Sequence, residues 1–209
     1  MTVTTHPAPA RSDESDPAVT ISTTGVRRLG IALTAGALAW SGAMFAFGTN
    51  PQESGRMAVT DLTGLAFQLG VFALLTAQLK TRATGTSRAA VVLLKVEYVL
   101  LALASVWSLI HGAVPALRDA PWLAVLDLFW PLSMLGMFVI GVKIAFAGRW
   151  RGAARVWPLV AETWAVVTVP CFILLGESVS DIVGPTHLVI GYAALGAILA
   201  ARPQLTGAR

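Results

Sequence analysis

Charge is what this sequence has least of. Of its 209 residues only 12% are Asp, Glu, Lys or Arg, about half the share of a soluble domain. So few charges cannot clothe an ordinary water-facing surface, which argues against a soluble enzyme. Cysteine is scarcer still. Cys171 stands alone, so an intramolecular disulfide and a multi-cysteine metal site are excluded. It falls in an apolar segment, where a packing role is expected. Also missing are a Walker A sequence, His-Glu-x-x-His, Gly-x-Ser-x-Gly and an aspartate-rich diphosphate motif. No metal and no cofactor are therefore expected.

What is present is apolar. Hydrophobic residues make up 56% of the chain and the mean hydropathy is +0.71. They are gathered into six runs, at approximately 30–48, 59–79, 89–112, 122–146, 156–175 and 183–201. Each is near the roughly 20 residues that carry an α-helix across about 30 Å of hydrocarbon. The expected fold is all-α, a polytopic transmembrane bundle of six spans. Residues 1–25, rich in Ser, Thr, Pro and acids, cannot bury enough apolar surface to fold alone and are expected to be a disordered tail. Residues 26–202 form the transmembrane domain, and 203–209 a second, short tail. Arg27-Arg28 before an apolar run and Ser41-Gly42-Ala43 has features of a cleaved signal. The run continues through Phe47 and five more follow, which favours a retained first helix.

The connections are short and their charges alternate in kind. One side collects Arg11, Arg27 and Arg28, then Lys80, Arg82 and Arg88, then Arg149, Arg151 and Arg155, and finally Arg202 and Arg209. The other side has only Arg56 and Arg118, while Lys95 and Lys143 fall within spans. This asymmetry satisfies the positive-inside rule at every loop and predicts both termini in the cytoplasm of a bacterial cell, with the bundle in its plasma membrane. The pI of 9.8 is thereby explained without a nucleic-acid partner. Partners expected instead are membrane lipids, a hydrophobic small molecule, and a second copy or another membrane protein.

Small residues four apart, Ala35 with Ala39, Ala193 with Ala197 and Gly196 with Ala200, mark places where helices can approach closely. Pro131, Pro158, Pro170 and Pro185 lie in or just inside spans and are expected to kink them. Trp122, Trp150 and Trp157 fall near span ends, where indoles favour the interface. Trp-Pro-Leu occurs at 130–132 and again at 157–159, too short to establish a repeat, and a 3+3 inverted arrangement stays geometrically open.

Short loops force any site into the helices or their mouths. Ionisable residues at depth are the clues there, because a charge in hydrocarbon is expensive. Topology sorts them into two layers. Asp61, His111, Asp127 and His187 lie near the outer side, the last two roughly 6–8 Å into their spans. Glu97 and Glu162 lie nearer the cytoplasm, roughly 10–12 Å deep. Ala104, Ser108 and His111 share a helix face with Glu97, a small polar face expected to turn inward. Lys95 points elsewhere and can snorkel. Gln68 shares a face with Asp61, and Arg155, seven residues before Glu162, is expected to compensate it in part. The faces together suggest an interior seam from Asp61 and His111 down to Glu97 and Glu162. Trp130, Trp164 and Phe138 could line an aromatic pocket.

The segment Phe129-Trp130-Pro131-Leu132-Ser133-Met134-Leu135-Gly136, followed by the loop Gly148-Arg149-Trp150-Arg151-Gly152, resembles uncharacterised small multi-pass membrane proteins of actinobacteria. The Ala- and Gly-rich spans and the preference for Arg over Lys suit that background. The resemblance implies the six-helix architecture and brings no activity or site residue with it.

Three functions compete. A non-catalytic accessory, sensory or binding bundle leads, since no complete catalytic constellation is found. The second is a membrane-embedded enzyme acting on a lipidic or isoprenoid substrate, with Glu97 or Glu162 as catalytic general acid. The third is a proton-coupled transporter using the acids and histidines, Asp61, His111, Asp127 and His187, as substrate-binding or relay groups.

Overall fold

The computed structural model describes residues 19–209. Most of the expected N-terminal tail, residues 1–18, lies outside the described residues. All regular structure among the described residues is helical, and six stretches of 24 to 27 residues are long and apolar enough to cross a membrane. The first three are α1 (Thr23–Phe47), α2 (Ser54–Lys80) and α3 (Arg88–Ala113). The fourth is broken into α4 (Pro121–Asp127) and α5 (Phe129–Ala147), and the fifth into α6 (Gly152–Glu162) and α7 (Trp164–Leu175). The sixth comprises α8 (Glu177–Leu188), a π-helical turn (Val189–Ala193) and α9 (Ala194–Ala201).

Each helix outruns the apolar segment expected for it, most at the starts of α1 and α8. Hydropathy ends at the first polar residues, whereas helical hydrogen bonding continues through them to a cap. Ser22 accepts from Gly25 N–H at 3.1 Å and Ser87 from Ala90 N–H at 3.2 Å, each satisfying an otherwise orphaned donor. Helix begins at Thr23, two residues before the end of the expected tail. The last residues are not a free tail either. Pro203–Thr206 form a 3₁₀ turn, Pro203, Thr206 and Ala208 are buried, and Arg151 N–H donates to the Leu205 carbonyl at 2.9 Å. These small or apolar side chains find cover against α1 and α6.

The two described ends of the chain meet, Thr23 N–H donating to the Arg209 carbonyl at 3.1 Å. At this terminal end stand Arg27, Arg28, Lys80, Arg82, Arg88, Arg149, Arg151, Arg155 and Arg202, while Arg56 and Arg118 mark the distal end. The outer surface is apolar, with Leu69, Phe146 and Leu174 among many exposed large side chains, and the interior holds Gln68, Glu97, Ser108, Ser133 and Glu162. An exposed apolar belt of this extent is what a lipid surround covers.

α1 is the hub, packed on α2, α8, the π turn and α9. Its contacts rely on glycine. A Cβ on Gly36 would stand 2.5 Å from the Ala66 carbonyl oxygen, and one on Gly30 would stand 2.6 Å from that of Gly196. Gly196 and Ala200 thus face α1 as the spacing suggested. Ala197 of α9 and Ala35 and Ala39 of α1 are instead exposed, and Gly36 occupies the inward position beside Ala35. Of the end-of-span tryptophans, Trp122 is exposed, but Trp150 is fully buried with its indole N–H on Thr81 Oγ1 at 2.8 Å. Trp150 locks the terminal end instead of resting at an interface.

The breaks have local causes. Pro131 offers no N–H to the Asp127 carbonyl and its ring would collide with it, so the helix is interrupted at Leu128. At Thr163 the side-chain hydroxyl takes the Val160 carbonyl at 2.7 Å, a local alternative to the backbone ladder. The π turn exposes carbonyls that other helices satisfy: Ala193 O accepts from Thr34 Oγ1 at 3.1 Å and Ile190 O from Trp157 Nε1 at 2.9 Å.

Gly36→Ala is expected to lower unfolding stability in micelles by about 1–3 kcal/mol through overpacking. Gly42→Ala, whose Cβ would meet nothing within 4 Å, should change it by less than about 0.5 kcal/mol. Equal denaturation midpoints for the two variants would contradict the close α1–α2 contact.

Candidate functional site

The distal end holds a half-enclosed pocket of about 350 Å³. α1 contributes Trp40 and Met44, α2 Thr60, Asp61 and Gly64, and α3 Trp107 and Ser108. Across from them α4 and α5 supply Asp127 and Trp130 on either side of the break, and α7 supplies Trp164, Thr168 and Phe172. The floor is made by tryptophans in mutual contact. The ring centroids of Trp40, Trp130 and Trp164 are each 5.5 Å from the other two, and Trp40 also stacks on Phe67 at 5.0 Å. Such edge and tilted pairs hold rings in fixed orientation. The Trp164 indole N–H donates to the Gly184 carbonyl at 2.9 Å, and Trp40 lies over Gly64, whose absent Cβ leaves space for the indole.

The rim is pinned by polar contacts. Thr49 donates from N–H and Oγ1 to Asp181 Oδ1 at 2.6 and 2.7 Å, which ties the α1–α2 turn to α8. His111 Nδ1 lies 2.7 Å from Asp61 Oδ2, and its ring stacks on Trp107 at 4.6 Å. Arg118 donates to the His111 carbonyl and to Ser54 Oγ, both at 2.8 Å. Asp127 has no hydrogen-bond or ion-pair partner among the described residues.

Below the pocket runs a polar column. Ser108, in the pocket wall, accepts from Gln68 Nε2 at 3.0 Å. Gln68, Ser133 and Tyr192 then border a void of about 10 Å³, room for about one water molecule. Ser133 Oγ donates to Glu97 Oε1 at 2.5 Å, and the Tyr192 hydroxyl donates to Glu162 Oε2. Neither carboxyl has an ion-pair partner among the described residues, and Glu162 Oε1 is buried without a hydrogen bond. α5 makes room for both. A Cβ on Gly136 would collide with the Glu97 carboxyl, and one on Gly141 would press Glu162 Cγ at 3.1 Å. On the opposite side, Gly191 lets the π turn approach Ala161, where its Cβ would stand 2.9 Å from Cα, and so brings Tyr192 to Glu162.

Of the four residues expected near the outer side, the structure brings three together. Asp61 and Asp127 line the pocket and His111 buttresses Asp61. His187 stands apart, its Nε2 on Thr163 Oγ1 at 3.1 Å and its Nδ1 buried without a partner, because α8 turns it toward the α6–α7 break. The inward face of α3 is as expected, with Glu97, Ala104 and Ser108 buried and Lys95 exposed. Arg155 does not compensate Glu162. Its Nε donates to the Ala145 carbonyl at 2.7 Å, a nearer acceptor than a carboxyl two turns along the helix. Trp130 and Trp164 line the pocket and Phe138 does not.

Sequence reading missed Trp40, Trp107, Ser133 and Tyr192. A tryptophan deep in an otherwise Ala- and Gly-rich first span was the available signal for Trp40. Tyr192 had none, since it reaches Glu162 from 30 residues away through a π turn. No protein-family model matches this chain, and no curated protein and no solved structure matches it either.

The Tyr192–Glu162 contact is open to a double-mutant cycle with Tyr192→Phe and Glu162→Leu, read by unfolding in micelles. A coupling of roughly 0.6–1.7 kcal/mol is expected for an interhelical hydrogen bond in this setting. Strictly additive effects would mean that the two groups do not interact.

Proposed function

We propose that this chain is a multi-pass protein of the bacterial plasma membrane, with both termini cytoplasmic, that binds a small molecule in its outward-facing pocket and performs no chemistry on it. The observation that carries this reading is the pocket itself. Its volume of about 350 Å³ lies at the small end of the roughly 300–1,000 Å³ typical of ligand sites. Its walls combine a cluster of five aromatic side chains with polar groups, two of them carboxylates. The orientation draws its support from the basic residues gathered at the terminal end.

Glu97 and Glu162 act in this reading as packed polar contacts that join α3 to α5 and α6 to the sixth span. Neither lines the pocket, so a glutamate acid working inside an aromatic cavity finds no support in this geometry. A proton-coupled reading has one observation in its favour, the column from Ser108 through Gln68 to the two carboxyls.

The double substitution Glu97→Gln/Glu162→Gln separates the two. The binding reading expects folded protein, unchanged cellular phenotype and proteoliposomes that hold a pH gradient with or without the substitutions. Dissipation of the gradient by the wild-type protein, lost in the double variant, would favour proton coupling.

Orientation is tested in a Cys171→Ser background. Asn50→Cys should react with an impermeant maleimide on intact cells, and Thr86→Cys only after permeabilisation. The reverse pattern would invert the topology and turn the pocket to the cytoplasm.

A further inference from the structure

Four of the seven tryptophans in the chain line one pocket, in a sequence where aromatic residues are 8% of the total. The same pocket contains two carboxylates, Asp61 and Asp127, and no lysine or arginine among its lining residues, although the chain as a whole carries a net charge of +4. From this pairing of indole faces with an Asp127 carboxylate that makes no hydrogen bond or ion pair among the described residues we propose that the ligand is a small organic cation of the tertiary or quaternary ammonium class. The proposal rests on the binding function argued above and names the chemistry of its ligand.

The carboxylates are not equivalent. Asp61 is held by His111 at 2.7 Å, and His111 in turn lies between Trp107 and the Arg118 contact to its carbonyl. A positive charge on His111 is paired with Asp61 and reaches Asp127 only through space. Asp127 has no such partner, and it sits one helical break away from Trp130. A cation resting against the Trp130 face would meet attraction from the ring quadrupole and from Asp127 together, and tryptophan is the strongest aromatic partner for a cation.

Other ligand classes fit less well. An anion would face two acids. A hard metal cation needs six or more oxygen donors at short range, and no group of three His, Cys, Asp or Glu side chains able to hold one occurs among the described residues. A neutral apolar molecule would strip water from Asp127 and leave it unpaired, which is costly. A cation with many N–H donors would find few acceptors, the Asp127 carboxylate and the Thr168 hydroxyl, since the Thr49 hydroxyl is engaged with Asp181 and the Thr60 hydroxyl with the Arg56 carbonyl. An alkylated ammonium, which has charge and apolar surface but few or no donors, suits the walls as they stand.

The test uses the full-length protein in nanodiscs, with tryptophan fluorescence and calorimetry as readouts. The probes are tetramethylammonium, choline and benzyltrimethylammonium, with 3,3-dimethylbutan-1-ol as the uncharged isostere of choline. At least one cation is expected to bind saturably, and the isostere is expected to neither bind nor compete at equal concentration. Asp127→Asn and Trp130→Leu should each raise Kd on the order of tenfold, with Trp130→Phe intermediate. Asp127 has no hydrogen bond or ion pair to lose among the described residues, and its through-space interactions with His111 and Asp61 oppose each other, so its variant should keep the wild-type unfolding midpoint and report on binding alone. If the isostere binds as well as choline, or Asp127→Asn leaves Kd unchanged, the cation proposal fails while the binding pocket stands. If no probe of either kind binds at millimolar concentration, the cation proposal fails and the binding function loses its support with it.

Discussion

At Gly36 a methyl group would stand 2.5 Å from a carbonyl oxygen of α2, and at Gly30 2.6 Å from one of α9. Lipid tails are as apolar as leucine, so helices in a bilayer gain little from burying apolar surface against each other. They associate through close packing and hydrogen bonds. The glycine contacts of α1 supply that closeness, and the remaining helices take their positions from them. Trp40 reaches Phe67 because the first span lies against the second. It reaches Trp164 of the fifth span because the last span, packed on the first, holds that indole through the Gly184 carbonyl. The pocket wall is therefore a consequence of backbone approach about one to three turns below it.

The second constraint is that every backbone group displaced from a helix must find a partner inside the protein. Three spans are irregular, and each irregularity has been put to use at or beside the polar interior. The Leu128 break sets Asp127 and Trp130 on the pocket wall, and the Thr163 break turns Trp164 into it. The π turn presents Tyr192 to Glu162, with Thr34 and Trp157 occupying the carbonyls it exposes. Such turns recur at functional sites, and here one secures a fully buried carboxyl.

The interior then divides into two tiers with different chemistry. The distal tier is aromatic and acidic, and half open. The deeper tier is closed and holds two carboxyls, each with a hydroxyl from a neighbouring helix. A hydrogen-bonded step from Ser108 to Gln68 and a void the size of one water join them.

Much of this was legible from the chain alone. The six apolar runs determined six long helices, since only a helix satisfies its own backbone over that length of apolar sequence. The basic residues identified one end of the bundle, and the 100° periodicity of α3 placed Glu97, Ala104 and Ser108 inward and Lys95 outward. Periodicity within one helix says nothing about which helix lies opposite. Only the tertiary structure decided that Glu97 meets Ser133 and Glu162 meets Tyr192, that Arg155 turns to a backbone carbonyl, and that His187 leaves the outer cluster. It also decided that tryptophans from four separate spans converge on one cavity. Those pairings depend on helix rotation and separation, set by where glycine permits contact, and no spacing along the sequence encodes them.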